Sequence, residues 1–149
     1  QGGILSTGAG MEPTPSPLAA SDGQFGRWQA VNVETRELVW DHRKEAPPTS
    51  AALSTEGGLV FIGALDQSFT ALDDATGEVL WSTDLGDIPA SFPITYQVGD
   101  KQYIAIAIGT PTIHASVWLG VTQEYFGANR NFAGSLSRQG PALKVFALN

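Results

Sequence analysis

The chain has no cysteine. That excludes disulfides and thiolate-bound metals. It has only two histidines, His42 and His114, and neither stands in a metal-ligand spacing such as His-x-x-x-His. Charge is sparse. Asp, Glu, Lys and Arg make up 15% of the 149 residues, against roughly 25% in an ordinary soluble domain. So little charge fits an extracytoplasmic protein, or one with much surface covered by a partner. The 8 Lys and Arg are scattered among 15 Asp and Glu, for a net charge of −7. A nucleic-acid partner is excluded, because phosphates need clustered basic residues. A cationic protein partner stays compatible with the acidic surface. No apolar run approaches the ~18–20 residues of a membrane helix, and the longest, Tyr103 to Ile108, is strand-sized. No basic and then apolar segment opens the chain, so no signal peptide is read, and Gln1 in place of Met points to a processed or internal N-terminus. The Gly-x-Ser-x-Gly elbow of serine hydrolases is also missing.

What the sequence does have is a repeat. Ala30-Val31-Asn32-Val33-Glu34-Thr35-Arg36-Glu37-Leu38-Val39-Trp40 aligns without a gap on Ala71-Leu72-Asp73-Asp74-Ala75-Thr76-Gly77-Glu78-Val79-Leu80-Trp81. The shared pattern is Ala-x-Asn/Asp-x-x-Thr-Gly/Arg-Glu-x-x-Trp. A period of about 40 residues with strand-like segments inside it marks a β-propeller, one four-stranded blade per repeat. Each part has a physical reason. Asp73 and Thr76 can accept backbone N–H groups across the turn. Gly77 can take the positive φ that ends it. Arg36 replaces that glycine in the first copy, so its turn is expected to be strained or differently shaped. Trp40 and Trp81 read as wedges between adjacent sheets, each burying roughly 200 Å².

Residues 1–27 are rich in Gly, Pro, Ser and Thr and read as a loop-rich segment. Short strands are expected at 28–32, 38–40, 51–54, 59–63, 69–73 and 79–81, with turns carrying Gly or Asp between most of them. Ala46-Pro47-Pro48-Thr49-Ser50 is a rigid crossing loop, since proline cannot donate to a ladder. Gly99-Asp100 links Phe92–Val98 to Lys101–Ile108 as a tight hairpin. The domain reading is therefore two blades over 28–109, an irregular face-covering loop over 110–139 without a long amphipathic helix, and a closing strand over 140–149. Trp118, Tyr125 and Phe126 would cover the propeller face or meet a partner. Asp84 and Asp87 flank a glycine that could hold a cation weakly. His42 reads as a surface residue, and His114 as a residue that could line a substrate entrance.

The stretch Ser50 to Trp81, the hairpin Phe92 to Gly109 with its Gly99-Asp100-Lys101-Gln102-Tyr103, and the closing Ala142-Leu143-Lys144-Val145-Phe146-Ala147-Leu148 resemble the late blades of pyrroloquinoline quinone (PQQ)-dependent alcohol and sugar dehydrogenases. The resemblance implies an all-β fold, the C-terminal blades of an eight-bladed propeller. It implies PQQ and a cation, calcium or a lanthanide, held mainly by blades not present here. At ~40 residues per blade, eight blades exceed 149 residues, so a larger N-terminal polypeptide would complete the ring, making a heteromer or a longer parent. The family's catalytic aspartate and metal ligands have no match in this chain, and neither Asp66 nor Asp73 stands in for them. Four residues fall where the family's loops reach the quinone: Thr49 and Ser50 in the crossing loop, and Gly109 and Thr110 after the hairpin. Thr49 stands where many members have tryptophan, as in a Thr-Ser subgroup.

The implied activity is oxidation of a primary or secondary alcohol or a sugar in the periplasm. Electrons would pass to a cytochrome c or a quinone. The alternative is a non-catalytic propeller of the same repeat class, either an outer-membrane assembly scaffold or a binding module. The repeat alone fits both, and the Lys101-Gln102-Tyr103 hairpin favours the dehydrogenase.

Overall fold

A computed structural model of the chain describes residues 19–89, 91–109, 113–127, 132 and 140–148. Among these, nine strands form three antiparallel sheets. Strands β1 (Gly26–Val31) and β2 (Leu38–Lys44) pair with each other. Strands β3 (Leu53–Ser54), β4 (Leu59–Gly63), β5 (Ser68–Asp73) and β6 (Val79–Asp84) form a four-stranded meander. Strands β7 (Ile94–Val98), β8 (Lys101–Ile108) and β9 (Ala142–Leu148) form the third sheet. One helix, α1 (Ile113–Phe126), lies between β8 and β9 in sequence. The chain thus holds one complete blade, flanked by a two-stranded and a three-stranded sheet. The sheets do not close on themselves, and the architecture is a partial propeller.

The two copies of the repeat fold alike. Both carry a register shift after the alanine, so Ala30 pairs with Trp40 and Ala71 with Trp81. In the first turn Asn32 Oδ1 accepts the amides of Glu34 and Thr35 at 2.9 and 3.0 Å. In the second, Asp73 Oδ1 accepts those of Ala75 and Thr76 at 3.0 and 2.8 Å, and the Thr76 hydroxyl at 2.9 Å. Arg36 keeps the shape of the glycine turn, with φ 62° against 73° at Gly77. Of the two expected outcomes, the structure shows the strained one. The tryptophan of the first copy reaches across to the next blade. Trp40 donates its indole N–H to Asp74 O at 2.8 Å, and its ring lies over Gly77.

The core sits between sheets. Phe61, Phe69, Ala71 and Leu85 of the complete blade pack against Ile104, Ile106 and Ile108 of β8. Alternation along β8 sends these three isoleucines to one face. Fully burying such a side chain contributes about 1.5–3 kcal/mol, enough to hold sheet on sheet. The other side of the third sheet is bare, with Ile94, Tyr96, Val98, Leu143 and Val145 all exposed.

The two ends of the strands differ in character. One end carries tight turns: 32–37, 54–59, 73–78 and Gly99-Asp100, where Val98 pairs with Lys101. The other carries the longer crossings, and α1 packs there. Ala115 of α1 is buried with Ala46, Ala64, Leu65 and Ile88, and Trp118 and Leu119 pack on this cluster. Phe25 meets Trp118, Tyr125 and Phe126 edge-on at 5.2–6.0 Å. The helix corrects the expectation of irregular chain through 110–139. Apolar residues surround it and Gly120 interrupts it, so no 3.6-residue stripe betrays it in the sequence. Contact with the loops decides its conformation, as is usual for helices of this length.

Candidate functional site

The crossing loop 45–52 is pinned to the end of β4. The amides of Thr49 and Ser50 both donate to Gly63 O, at 3.0 and 3.3 Å. Ser50 Oγ accepts the Gly63 amide at 2.7 Å and donates to Ala51 O at 2.9 Å. Pro48 bridges Ala64, and Leu65 N donates to Pro47 O at 2.9 Å. Gly63 has no room for a side chain, because an added Cβ would lie 2.6 Å from Pro89 Cβ. Pro89 in turn bridges Ile108, and the amide of Gly109 donates to Ile88 O at 3.2 Å. Gly109 has φ +133°, and a Cβ there would sit 2.6 Å from Pro141 Cα. A line of contacts therefore joins Thr49, Ser50, Gly63, Pro89, Gly109 and Pro141 at the long-loop end.

The residues singled out from sequence separate on inspection. Among the described residues, Thr49 Oγ1 is buried and has no hydrogen-bond partner. Leaving a buried hydroxyl without a partner costs roughly 1–3 kcal/mol, so a group that accepts or donates there is favoured. Ser50 spends its hydroxyl within the chain, on Gly63 and Ala51. Gly109 serves close packing through its backbone. Thr110 lies outside the described residues. Thr49 thus fits a polar ligand such as a quinone, and Ser50 fits a loop-fixing role.

Charge clusters elsewhere. Arg27 Nε meets Asp41 Oδ1 at 2.8 Å, and Arg43 Nε meets Asp41 Oδ2 at 2.9 Å. The hydrogen bond from Arg27 does most to hold the Asp41 carboxyl below its usual range. Lys44 Nζ meets Asp66 Oδ2 at 2.6 Å and donates to Ser68 Oγ at 2.7 Å. Asp84 and Asp87 are used locally. Asp84 Oδ1 accepts the Gly86 amide at 2.7 Å, and buried Asp87 accepts that of Ile88 at 2.7 Å. Among the described residues no group of three His, Asp or Glu could hold a metal ion.

His42 differs from its sequence reading. It is half-buried, lies 5.3 Å from the Trp28 ring, and lines a cavity of about 290 Å³ between the β1–β2 sheet and the complete blade. Burial, then the nearby Lys44, push its pKa down. The indole N–H of Trp28, also buried, has no acceptor among the described residues. The strand alternation places Trp28, Trp40, His42 and Lys44 on one face, and that signal was present in the sequence. His114 lies within α1.

Sheets side by side, with a tryptophan in each copy of the repeat and Trp40 reaching the turn of the next blade, define a β-propeller of the tryptophan-repeat class. The family model described as “PQQ: Glucose/ethanol/alcohol dehydrogenase, beta-propeller domain” matches residues 6–104, and the chain belongs to this family. It is similar to the 1-butanol dehydrogenase (cytochrome c) of Thauera butanivorans, 31% identical over 140 residues, which cover 94% of this chain and 20% of that protein. It is also similar to quinoprotein alcohol dehydrogenase PedE of Pseudomonas putida, 38% identical over 88 residues, 59% of this chain and 14% of that protein. Among solved structures, a europium-containing methanol dehydrogenase superposes with TM-score 0.60 at 30% identity, over 79% of this chain and 22% of that one. The chain spans a fifth or less of the length of the two curated relatives.

Proposed function

We propose that this chain supplies late blades, and part of the cofactor wall, of a periplasmic PQQ-dependent dehydrogenase acting on a primary or secondary alcohol or a sugar. The remaining blades, on a larger N-terminal polypeptide, would carry the catalytic base and the ligands of a calcium or lanthanide ion. Electrons would leave to a cytochrome c or a quinone. Family membership supports the chemistry, and the chain matches a fifth or less of each of its two curated relatives, so the remaining blades lie outside the matched part. The observation that carries the role of this chain is the buried, unpartnered Thr49 hydroxyl at the long-loop end.

When bound, PQQ supplies the two-electron acceptor for alcohol oxidation. The residues of this chain bind and orient. Thr49 Oγ1 would offer a hydrogen bond to a polar group of the bound cofactor. Ser50 fixes the loop that carries Thr49 by holding Gly63 N and Ala51 O. The backbone of Gly109 lets the 140–141 segment close tightly behind the hairpin. Helix α1, packed on Ala46, Ala64, Leu65 and Ile88, excludes water from the base of these loops.

In the assembled enzyme, Thr49→Val is expected to weaken PQQ retention about tenfold, the worth of one good hydrogen bond, while leaving thermal stability unchanged or raised. The measurement is PQQ content by absorbance after dialysis. Equal retention in both proteins would remove Thr49 from the cofactor wall. A purified assembly that never takes up PQQ would favour the scaffold alternative.

A further inference from the structure

The cavity of about 290 Å³ between the β1–β2 sheet and the complete blade has both of its walls on this chain. Trp28 of β1 stands opposite His42 of β2 in the ladder, and strand alternation adds Lys44 to the same face. On the facing blade, Ile62 and Leu72 are buried and make an apolar floor, while Val79 and Ser82 are exposed at the rim. None of Thr49, Ser50 and Gly109 lines this cavity.

The lining is one-sided in its chemistry. It holds two basic side chains and no carboxylate, in a chain where Asp and Glu outnumber Lys and Arg by 15 to 8. Its polar groups are spare donors. An ammonium has three N–H groups. Lys44 Nζ spends two of them, on Asp66 Oδ2 at 2.6 Å and Ser68 Oγ at 2.7 Å, and among the described residues the third has no partner. Thr70 Oγ1 and Ser82 Oγ lie 3.2 Å apart, so one hydroxyl proton joins them and the other is left over. The indole N–H of Trp28 has no acceptor among the described residues. Neutral His42 adds one more N–H. Spare donors beside an apolar floor match a ligand that only accepts at one end and is aliphatic at the other. An ionised carboxylate is acceptor-only. A cation would meet no counter-charge in the lining.

We propose that this inter-blade cavity binds a short-chain aliphatic carboxylate, its anionic head held by Lys44 and His42 and its tail laid on Ile62 and Leu72. The site stands apart from the cofactor reading, since the two share no residue. Binding is linked to protons. Burial, then Lys44, lower the His42 pKa, and Asp41 opposes them. Both charged neighbours are on its own strand. Strand β1 and the complete blade present no titratable side chain to the cavity, and Asp66 acts through Lys44. A bound anion favours the imidazolium, so affinity rises as pH falls through the His42 pKa.

The test is a titration of the isotope-labelled full chain with butyrate, read at the indole N–H resonances. The chain has four tryptophans, and Trp28→Phe identifies the signal of Trp28. The expected result is a saturable shift of the Trp28 signal with a Kd of about 1 mM or tighter. Lys44→Gln should weaken binding about tenfold, the loss of one charge-assisted hydrogen bond. Ser82→Phe, at the exposed rim, should block it without touching the donors from β1 and β2. Affinity should rise several-fold from about pH 7.5 to about 5.5, and His42→Gln should flatten that rise. No shift at a hundredfold excess over the expected Kd would mean that the cavity holds water alone, and overturns the site. Equal binding of n-butylammonium would overturn the charge argument. Equal binding of chloride or inorganic phosphate would overturn the role of the tail. Equal butyrate affinity in Lys44→Gln and Ser82→Phe would place the ligand elsewhere on the chain.

Discussion

In the turn Asp73–Gly77 the indole of Trp40 lies over the glycine; in the turn Asn32–Arg36 the same backbone carries an arginine that is exposed among the described residues. Both turns use a side-chain oxygen at the first position and a left-handed residue at the last. The difference is the neighbour. A turn that receives a tryptophan from the adjacent sheet must be glycine for steric reasons as well as for its φ. The turn that carries Arg36 bears the backbone strain of a left-handed non-glycine residue. Among the described residues, glycine stands at the turn that a tryptophan of the adjacent sheet covers.

Substitutions can break that comparison. Gly77→Ala should have the largest effect. Its Cβ would stand 2.7 Å from Trp40 Cδ2, and the positive φ adds strain, so a loss of about 3 kcal/mol is expected in denaturant unfolding. A loss of only about 1 kcal/mol, the strain alone, would show that the indole yields and that blade contact is not what selects glycine. Arg36→Gly should move the other way, by roughly 1 kcal/mol, as relief of left-handed strain outweighs the added freedom of the unfolded chain. A destabilised variant would mean that the arginine makes a compensating contact.

Asp73→Asn should have the smallest effect at neutral pH, because Asn32 already makes the equivalent turn. Its effect should emerge in acid. Hydrogen bonds from Thr76, side chain first and then backbone, hold the Asp73 pKa below the usual 3.8. A carboxylate lowered on folding contributes stability above its unfolded pKa, and loses it as pH falls through the folded value. Acid titration of unfolding should therefore show a smaller loss below pH 3.8 in the variant than in the parent. Identical acid profiles would place the acid sensitivity elsewhere, for instance at Asp41 between Arg27 and Arg43.

Much of the blade was legible beforehand because its signals are local. Alternating apolar residues, Asn32 or Asp73 with a threonine three positions on, and a two-residue Gly99-Asp100 link act within a few residues of themselves. The β4 and β8 limits, 59–63 and 101–108, follow from such patterns. The candidate site was legible only as a place. Four residues were marked by resemblance, yet whether a hydroxyl is spent or spare depends on what packs around it. Ser50 and Thr49 are adjacent and chemically alike. Gly63 N consumes the first and none of the described residues consumes the second. His42 went astray for the same reason, since its burial comes from a sheet distant in sequence.

The sequence by itself determined the repeat, the turns it makes, the absence of thiolate chemistry and the family, because these rest on short-range chemistry and residue identity. Tertiary structure alone decided that residues 113–126 wind into a helix, that Trp40 caps the neighbouring turn, and that Thr49 keeps a hydroxyl unused by the described residues. Each of these depends on which surfaces meet once distant segments pack, and no local pattern carries that information.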